Sequence, residues 1–167
     1  FVGGKYRYVR NGANAPLIEQ PYLAAFNRLS GDWISTFRPT LDGSVWSLQA
    51  TPDNKLLVAG NFTNVNGLAG TAGIFKLDPA TMAPDPTFRL ALTRDVGRTI
   101  GRSIAVGGDW AYLAGRFNNA VGGAAGVSNL GNGGLLKFKW SDGTPEPNWQ
   151  PYANATVEDI DVSPTTD

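Results

Sequence analysis

The chain has 167 residues, its 14 Lys and Arg side chains are balanced by 14 Asp and Glu, and it contains neither His nor Cys. The balanced charge argues against a nucleic-acid partner or an anionic membrane surface. Without His or Cys there is no Ser-His-Asp triad, no Cys-His nucleophile and no ordinary zinc site. No apolar run approaches the ~20 residues of a membrane span, so we expect no membrane insertion.

The chain begins with a segment, FVGGKY, that recurs as LVAGNF and YLAGRF at steps of 56 and 55 residues. The second glycine of each copy and the aromatic two residues later form a repeat signature: Gly4 and Tyr6, Gly60 and Phe62, Gly115 and Phe117. A fixed period of this size indicates tandem structural units that cover each other's apolar faces. We place these units at residues 1–44, 45–99 and 100–156, with 157–167 starting a further one.

A second strip recurs in each unit and contains an apolar run, a turn rich in Asp, Gly or Pro, and an aromatic. The aromatics of this strip are Phe37, Phe88 and Trp149. The acid three residues before the aromatic is Asp85 or Glu146, but Ile34 stands there in the first unit. We therefore expect the acid to support a turn and not to take part in chemistry.

The second unit predicts four short strands, at residues 45–50, 55–62, 74–77 and 87–90. Each run is 4–8 residues long, hydrophobic or alternating, and bounded by Gly, Pro, Asp or Asn. No segment has a helical period, and 21 Gly and 11 Pro interrupt the chain too often for ordinary helices. About three antiparallel units of four strands, each ~55 residues long, are typical of β-propeller blades, so we predict an all-β fold.

These segments resemble the delta-60 repeat, a β-propeller-type repeat of bacterial secreted and surface proteins. Residues 56–67, LLVAGNFTNVNG, are the copy most similar to that pattern. Kelch repeats are similar in period and in their glycine pair, and we rank them second. The resemblance implies a propeller scaffold located outside the cell or on its surface.

Three units are fewer than the 4–8 blades of a closed propeller. Three blades alone leave strand edges open, and such edges promote association. The sequence therefore predicts one propeller segment, residues 1–167, within a larger polypeptide. The alternative is self-association of several chains into a ring.

The candidate ligand-binding residues are two aromatics and two acids. Trp33 and Trp110 lie beside aspartates at predicted turns, where a flat ring could contact a sugar. Asp159 and Asp161 project from one face if residues 157–162 form a strand. A glycosidase needs two such carboxyl groups, but the equivalent positions in the second unit are Ser47 and Gln49, which favours a structural role.

No calcium-loop motif with alternating acids and a glycine is present. Single ligands such as Asp53, Asp78 or Asp85 leave Ca²⁺ open as a cofactor, although no motif indicates one. The connections 10–20, 63–73 and 118–134 vary between units, and in repeat folds such segments often line the binding face.

From these features we predict a non-enzymatic scaffold or adhesion protein. Its expected partners are other protein chains or the rest of a larger polypeptide, and glycans are the alternative ligand. A carbohydrate-binding propeller is the second hypothesis, and a glycoside hydrolase fragment is the third.

Overall fold

The computed structural model describes residues 1–131 and 133–163. Throughout these ranges the chain forms strands, turns and bends and no helix, which confirms the predicted all-β class. In chain order the strands are β1 (Val2–Gly3), β2 (Tyr8–Val9), β3 (Ile18–Glu19), β4 (Leu23–Ala24), β5 (Ser44–Ala50), β6 (Leu56–Asn61), β7 (Ile74–Leu77), β8 (Leu90–Thr93), β9 (Ile100–Gly107), β10 (Trp110–Arg116), β11 (Asn119–Gly122), β12 (Val127–Leu130) and β13 (Leu135–Lys139).

The strands form five small antiparallel sheets of two or three strands, and none of them closes on itself within the described residues. The second unit contributes β5-β6-β7 and the third contributes β9-β10-β13. In the first unit β1 pairs with β4, and β2 with β3, over two residues each. A fifth sheet, β8-β11-β12, joins the end of the second unit to a hairpin inserted between β10 and β13.

The four strands predicted for the second unit have different outcomes. Residues 74–77 match β7, and 45–50 and 55–62 match β5 and β6 to within one residue at each end. The prediction for 87–90 was wrong, because Asp85 accepts a hydrogen bond from the Thr87 N–H and closes a turn there. The chain becomes extended only at Leu90, where β8 pairs with β11 and not with β7.

The same turn follows β4, β7 and β13. In its first hydrogen bond an N–H donates to the carbonyl four residues earlier: Gly31 to Asn27, Met82 to Asp78 and Gly143 to Lys139, at 2.8–2.9 Å. In its second, an N–H donates to the carbonyl nine residues earlier: Ile34 to Ala25, Asp85 to Lys76 and Glu146 to Lys137, also at 2.8–2.9 Å. The period seen in the sequence is thus a period of backbone structure.

Two of the three signature glycines, Gly60 and Gly115, lie where two backbones approach closely, whereas Gly4 faces only the Tyr6 ring. A Cβ on Gly60 would collide with the carbonyl oxygen of Ser44, and one on Gly115 with that of Ile100. The register of each strand pair shifts beside these contacts. Only glycine allows an approach this close.

The core consists mainly of two apolar layers, one on each face of the second sheet. The layer towards the first unit includes Leu23, Val58 and Phe62, and the layer towards the third includes Leu57 and Leu113. Because both of its faces are covered, β6 is apolar and buried from Leu56 to Gly60.

Candidate functional site

Four charged side chains form a network at the junction of the second and third units. The Lys76 side chain is fully buried, and its Nζ lies 2.7 Å from Asp53 Oδ2 and 3.6 Å from Asp85 Oδ2. Lys55 Nζ donates to the same Asp85 oxygen at 2.8 Å. Two cations thus face two carboxylates, which offsets the cost of removing Lys76 from water.

The third unit covers this network. Lys76 Nζ lies 5.2 Å from the centre of the Trp140 ring and donates to the Ser141 carbonyl at 3.3 Å. Burial by itself raises the pKa of Asp85, but hydrogen bonds from Lys55 and Thr87 outweigh it and lower that pKa to about 2. Asp85 is therefore ionised at neutral pH and holds its lysines in place.

A cleft of about 500 Å³ opens beside this network. Residues 68–71 form one wall, and residues 89–91 with 121–123 and Gly126 form the other. Its floor is apolar and includes Ile74, Phe88 and Leu90. Two of the three variable connections therefore border the same cavity. Its size is that of an ordinary small-molecule site.

Arg89 lines this cleft and is exposed. Across the residues that the structure describes, its guanidinium forms neither an ion pair nor a hydrogen bond. Its backbone N–H donates to the Asp142 carbonyl at 2.9 Å, and its carbonyl accepts from the Gly123 N–H at 2.8 Å. The charges nearest the cleft floor, Lys76 and Asp85, are already paired with each other. Sequence analysis did not single out Lys76 or Arg89, since an isolated Lys or Arg carries no motif.

The two predicted tryptophans lie in different environments. Trp33 is 9% exposed and packs with Val9 and Ala24, while its Nε1 finds no hydrogen-bond partner among the described residues. Trp110 is half-buried at the start of β10, and Lys137 Nζ lies 4.5 Å from the centre of its ring. A ligand can therefore reach Trp110 more readily than Trp33, and ligand binding by either stays a prediction.

Asp159 and Asp161 lie in an extended segment, 157–163, that runs beside β9 without forming a strand. Asp159 accepts a short hydrogen bond from the Ser103 hydroxyl, and this lowers its pKa. Asp161 accepts from the N–H of Val162 at 2.8 Å. Each acid thus has a local structural partner. Residues 164–167 of the predicted further unit lie outside the described residues.

Residues 56 positions apart meet along the inner strands, which sequence analysis did not foresee. The Arg102 guanidinium carbon lies 3.6 Å from the centre of the Trp46 ring, and Arg102 Nε lies 3.1 Å from Glu158 Oε2. The neighbouring position behaves alike, because the Ser103 hydroxyl donates to Asp159, also 56 residues later. Ser47, the equivalent of Ser103, accepts from the N–H of Ile104, 57 residues later, at 3.1 Å. The 56-residue step is the sequence signal from which these contacts could have been predicted.

The signature aromatics mostly fill the space between units. Phe37, Phe62 and Phe117 are buried, and Tyr6, Phe88 and Trp149 are half-buried. Burial raises the pKa of Tyr6 to about 12, and its hydroxyl donates to the Val2 carbonyl at 2.8 Å. The main role of these aromatic side chains is therefore packing.

The acids considered for calcium have other partners. Asp53 and Asp85 pair with lysines, and Asp78 accepts from the Ala80 N–H at 2.8 Å. Among residues 1–131 and 133–163, no three acids converge in a way that could hold a metal ion. In the same ranges, no helix has the length and apolar character needed to cross a bilayer.

Comparison of the chain with protein-family models, with curated protein sequences and with solved structures gives no match. The resemblance to delta-60 or kelch repeats therefore stays a prediction based on the repeated segments alone.

Proposed function

We propose that the chain is a non-enzymatic interaction scaffold of the β-propeller repeat type, acting outside the cell or at its surface. Its units stack face to face, and the outer face of the third sheet takes a further unit from the same polypeptide or from another chain. The extracellular location rests on the resemblance to secreted repeat proteins.

The observation that carries this proposal is a difference between equivalent faces. In the second unit, Leu57 and Lys76 point towards the third unit and are buried by it. The equivalent residues of the third unit, Tyr112 and Lys137, are directly opposite each other in the β10–β13 pair and are half-buried. Tyr112 also contacts Trp149 at 5.6 Å between ring centres.

We call this surface the outer face, formed by Trp110, Tyr112, Lys137 and Trp149. Aromatic side chains are enriched at the centre of protein interfaces. Tyr112 and Lys137 have the positions of Leu57 and Lys76, which the third unit buries. A further unit is thus the partner with the best-matched shape.

A non-catalytic role is supported by the use of the acidic side chains. Asp53 and Asp85 neutralise lysines, and Asp159 accepts from Ser103. Asp42 accepts from the N–H groups of Thr63 and Asn64 at 2.7 and 3.0 Å, which connects the first unit to the second. Acids employed in this way are poorly placed as general acid and base.

The proposal is tested by adding a further unit to the chain. Residues 157–163 are equivalent to 45–51, so appending a copy of residues 53–99 after Pro164 builds a complete further unit. We expect slower hydrogen exchange in 110–114 and a higher urea midpoint, because the outer face becomes buried.

A matched pair of variants controls this experiment. Tyr112→Glu in the extended chain should cancel the gain, since a carboxylate is costly at a buried interface. Tyr8→Glu, the same change at an exposed residue of the first unit, should leave the gain intact. If hydrogen exchange in 110–114 and the urea midpoint are the same in the extended chain as in the original chain, the scaffold proposal is wrong.

A carbohydrate-binding role is the second candidate, and the half-buried Trp110 favours it. A glycan array that binds wild type but not Trp110→Ala, with Trp33→Ala folded and still binding, supports this role. A hydrolase fragment that uses Asp159 and Asp161 is the third candidate, and turnover of a model glycoside that survives Asp159→Asn and Asp161→Asn together removes it.

A further inference from the structure

We propose that the cleft beside β8 is a binding site for a small amphiphilic anion, with an apolar body in the cleft and one negative group on Arg89. This site goes beyond the scaffold function and is separate from the outer face on which that function depends.

The first argument is the chemistry of the walls. The floor contains Ile74, Phe88 and Leu90, while Ala91 and Val121 stand opposite each other in the β8–β11 pair. Both Ala91 and Val121 are exposed, and the Val121 side chain is 41% exposed. When an apolar ligand displaces water from apolar side chains that line a cavity, the free energy of binding becomes more favourable.

The second argument is charge. Arg89 is on the cleft with no ion-pair partner among the described residues. Lys76 and Asp85, which also line the cleft, balance each other together with Lys55 and Asp53. The net charge of the side chains that line the cleft is therefore positive and is that of Arg89. A guanidinium binds a carboxylate through two parallel hydrogen bonds.

The third argument is the local backbone. Gly122 and Gly123 are buried at the edge of the cleft, and a Cβ on either would collide with neighbouring atoms at Gly143 or Thr144. The Gly123 N–H donates to the Arg89 carbonyl at 2.8 Å. The backbone that carries Arg89 is thus fixed to Gly123 within the same wall, so this wall is formed before any ligand arrives.

Decanoate is the probe, and decanol is the neutral probe with the same chain length. We expect saturable one-to-one binding of decanoate by isothermal titration calorimetry, about tenfold tighter than decanol. Arg89→Gln should remove that tenfold preference, and Arg89→Lys should restore part of it, because an ammonium keeps the charge but not the paired geometry.

Occlusion of the cleft gives a second, independent readout. Ala91→Phe should fill the cleft and abolish binding of both probes. Thr93→Phe is the matched control, since Thr93 is exposed on the same face of β8 and does not line the cleft. Circular dichroism checks the fold, and Val121→Phe replaces Ala91→Phe if that variant does not fold.

Three results would overturn the proposal. The first is no saturable binding of decanoate by the wild-type chain. The second is equal binding by the Ala91→Phe and Thr93→Phe variants, and the third is an unchanged preference for decanoate in Arg89→Gln. None of these bears on the extended-chain experiment, so this site and the scaffold function can fail separately.

Discussion

Lys76 and Lys137 occupy the same position in consecutive units, but their surroundings differ. Lys76 is completely buried under the third unit and pairs with two carboxylates. Lys137 is half-buried, and its Nζ lies over the Trp110 ring. An acid is present at the equivalent position of both units, Asp85 in one and Glu146 in the other, but among the described residues only Lys76 is covered by a following unit.

The largest expected effect is that of removing the buried lysine. Lys76→Met leaves Asp53 and Asp85 short of a counter-charge at the junction, and we expect a loss of about 3 kcal/mol in the free energy of unfolding. Lys137→Met should cost less than about 1 kcal/mol, because its partner is one accessible ring. Urea denaturation of both variants measures the difference, and equal losses would contradict the comparison.

The recurring turn allows a second comparison between units. Gly143 has φ of 81°, and a Cβ there would lie 2.7 Å from the Arg89 carbonyl oxygen. Gly31 has φ of 77° with open space around it. We expect Gly143→Ala to cost about 3 kcal/mol and Gly31→Ala about 1 kcal/mol, which is the cost of left-handed backbone alone. Thermal unfolding of the Gly143→Ala and Gly31→Ala variants measures the two losses. A larger loss for Gly31→Ala would show that the turns are not equivalent.

The ion network predicts acid sensitivity. The pKa of Asp85 is about 2, below the ordinary 3.8, so its ionised form stabilises the folded chain above about pH 4. This contribution is lost as the pH falls from about 4 to 2. Asp85→Asn should therefore be less stable than wild type at pH 6, and the gap should narrow towards pH 2. A constant gap in urea titrations across this range would exclude a role for Asp85 ionisation.

The smallest effect is expected where equivalent residues meet at the surface. Glu158 is exposed, and its pair with Arg102 is screened by solvent. Glu158→Gln should change the free energy of unfolding by less than about 0.5 kcal/mol, and the change should shrink further in 0.5 M salt. A loss above about 1.5 kcal/mol would mean that segment 157–163 belongs to the cooperative core.

Contrasting strands show how much of the fold could be predicted. The unbroken apolar run of β6 is visible in the sequence, whereas the alternating burial in β10, where Ala111 and Leu113 are buried and Tyr112 is not, is seen only in the structure. These two patterns distinguish a strand covered on both faces, β6, from a strand covered on a single face, β10. The residues 87–90 were misassigned because their β-propensity was given more weight than the turn that Asp85 was expected to support.

The sequence by itself determined the all-β class, the step of 55–56 residues and the positions of the close-contact glycines, because period and composition are local properties of the chain. Tertiary structure alone decided which lysine is buried, which acids are neutralised and where the cleft lies. These depend on residues far apart in sequence, such as Lys76 with Ser141 and Ala91 with Val121. Burial and charge pairing are set by what packs against a side chain, and a single sequence does not record that.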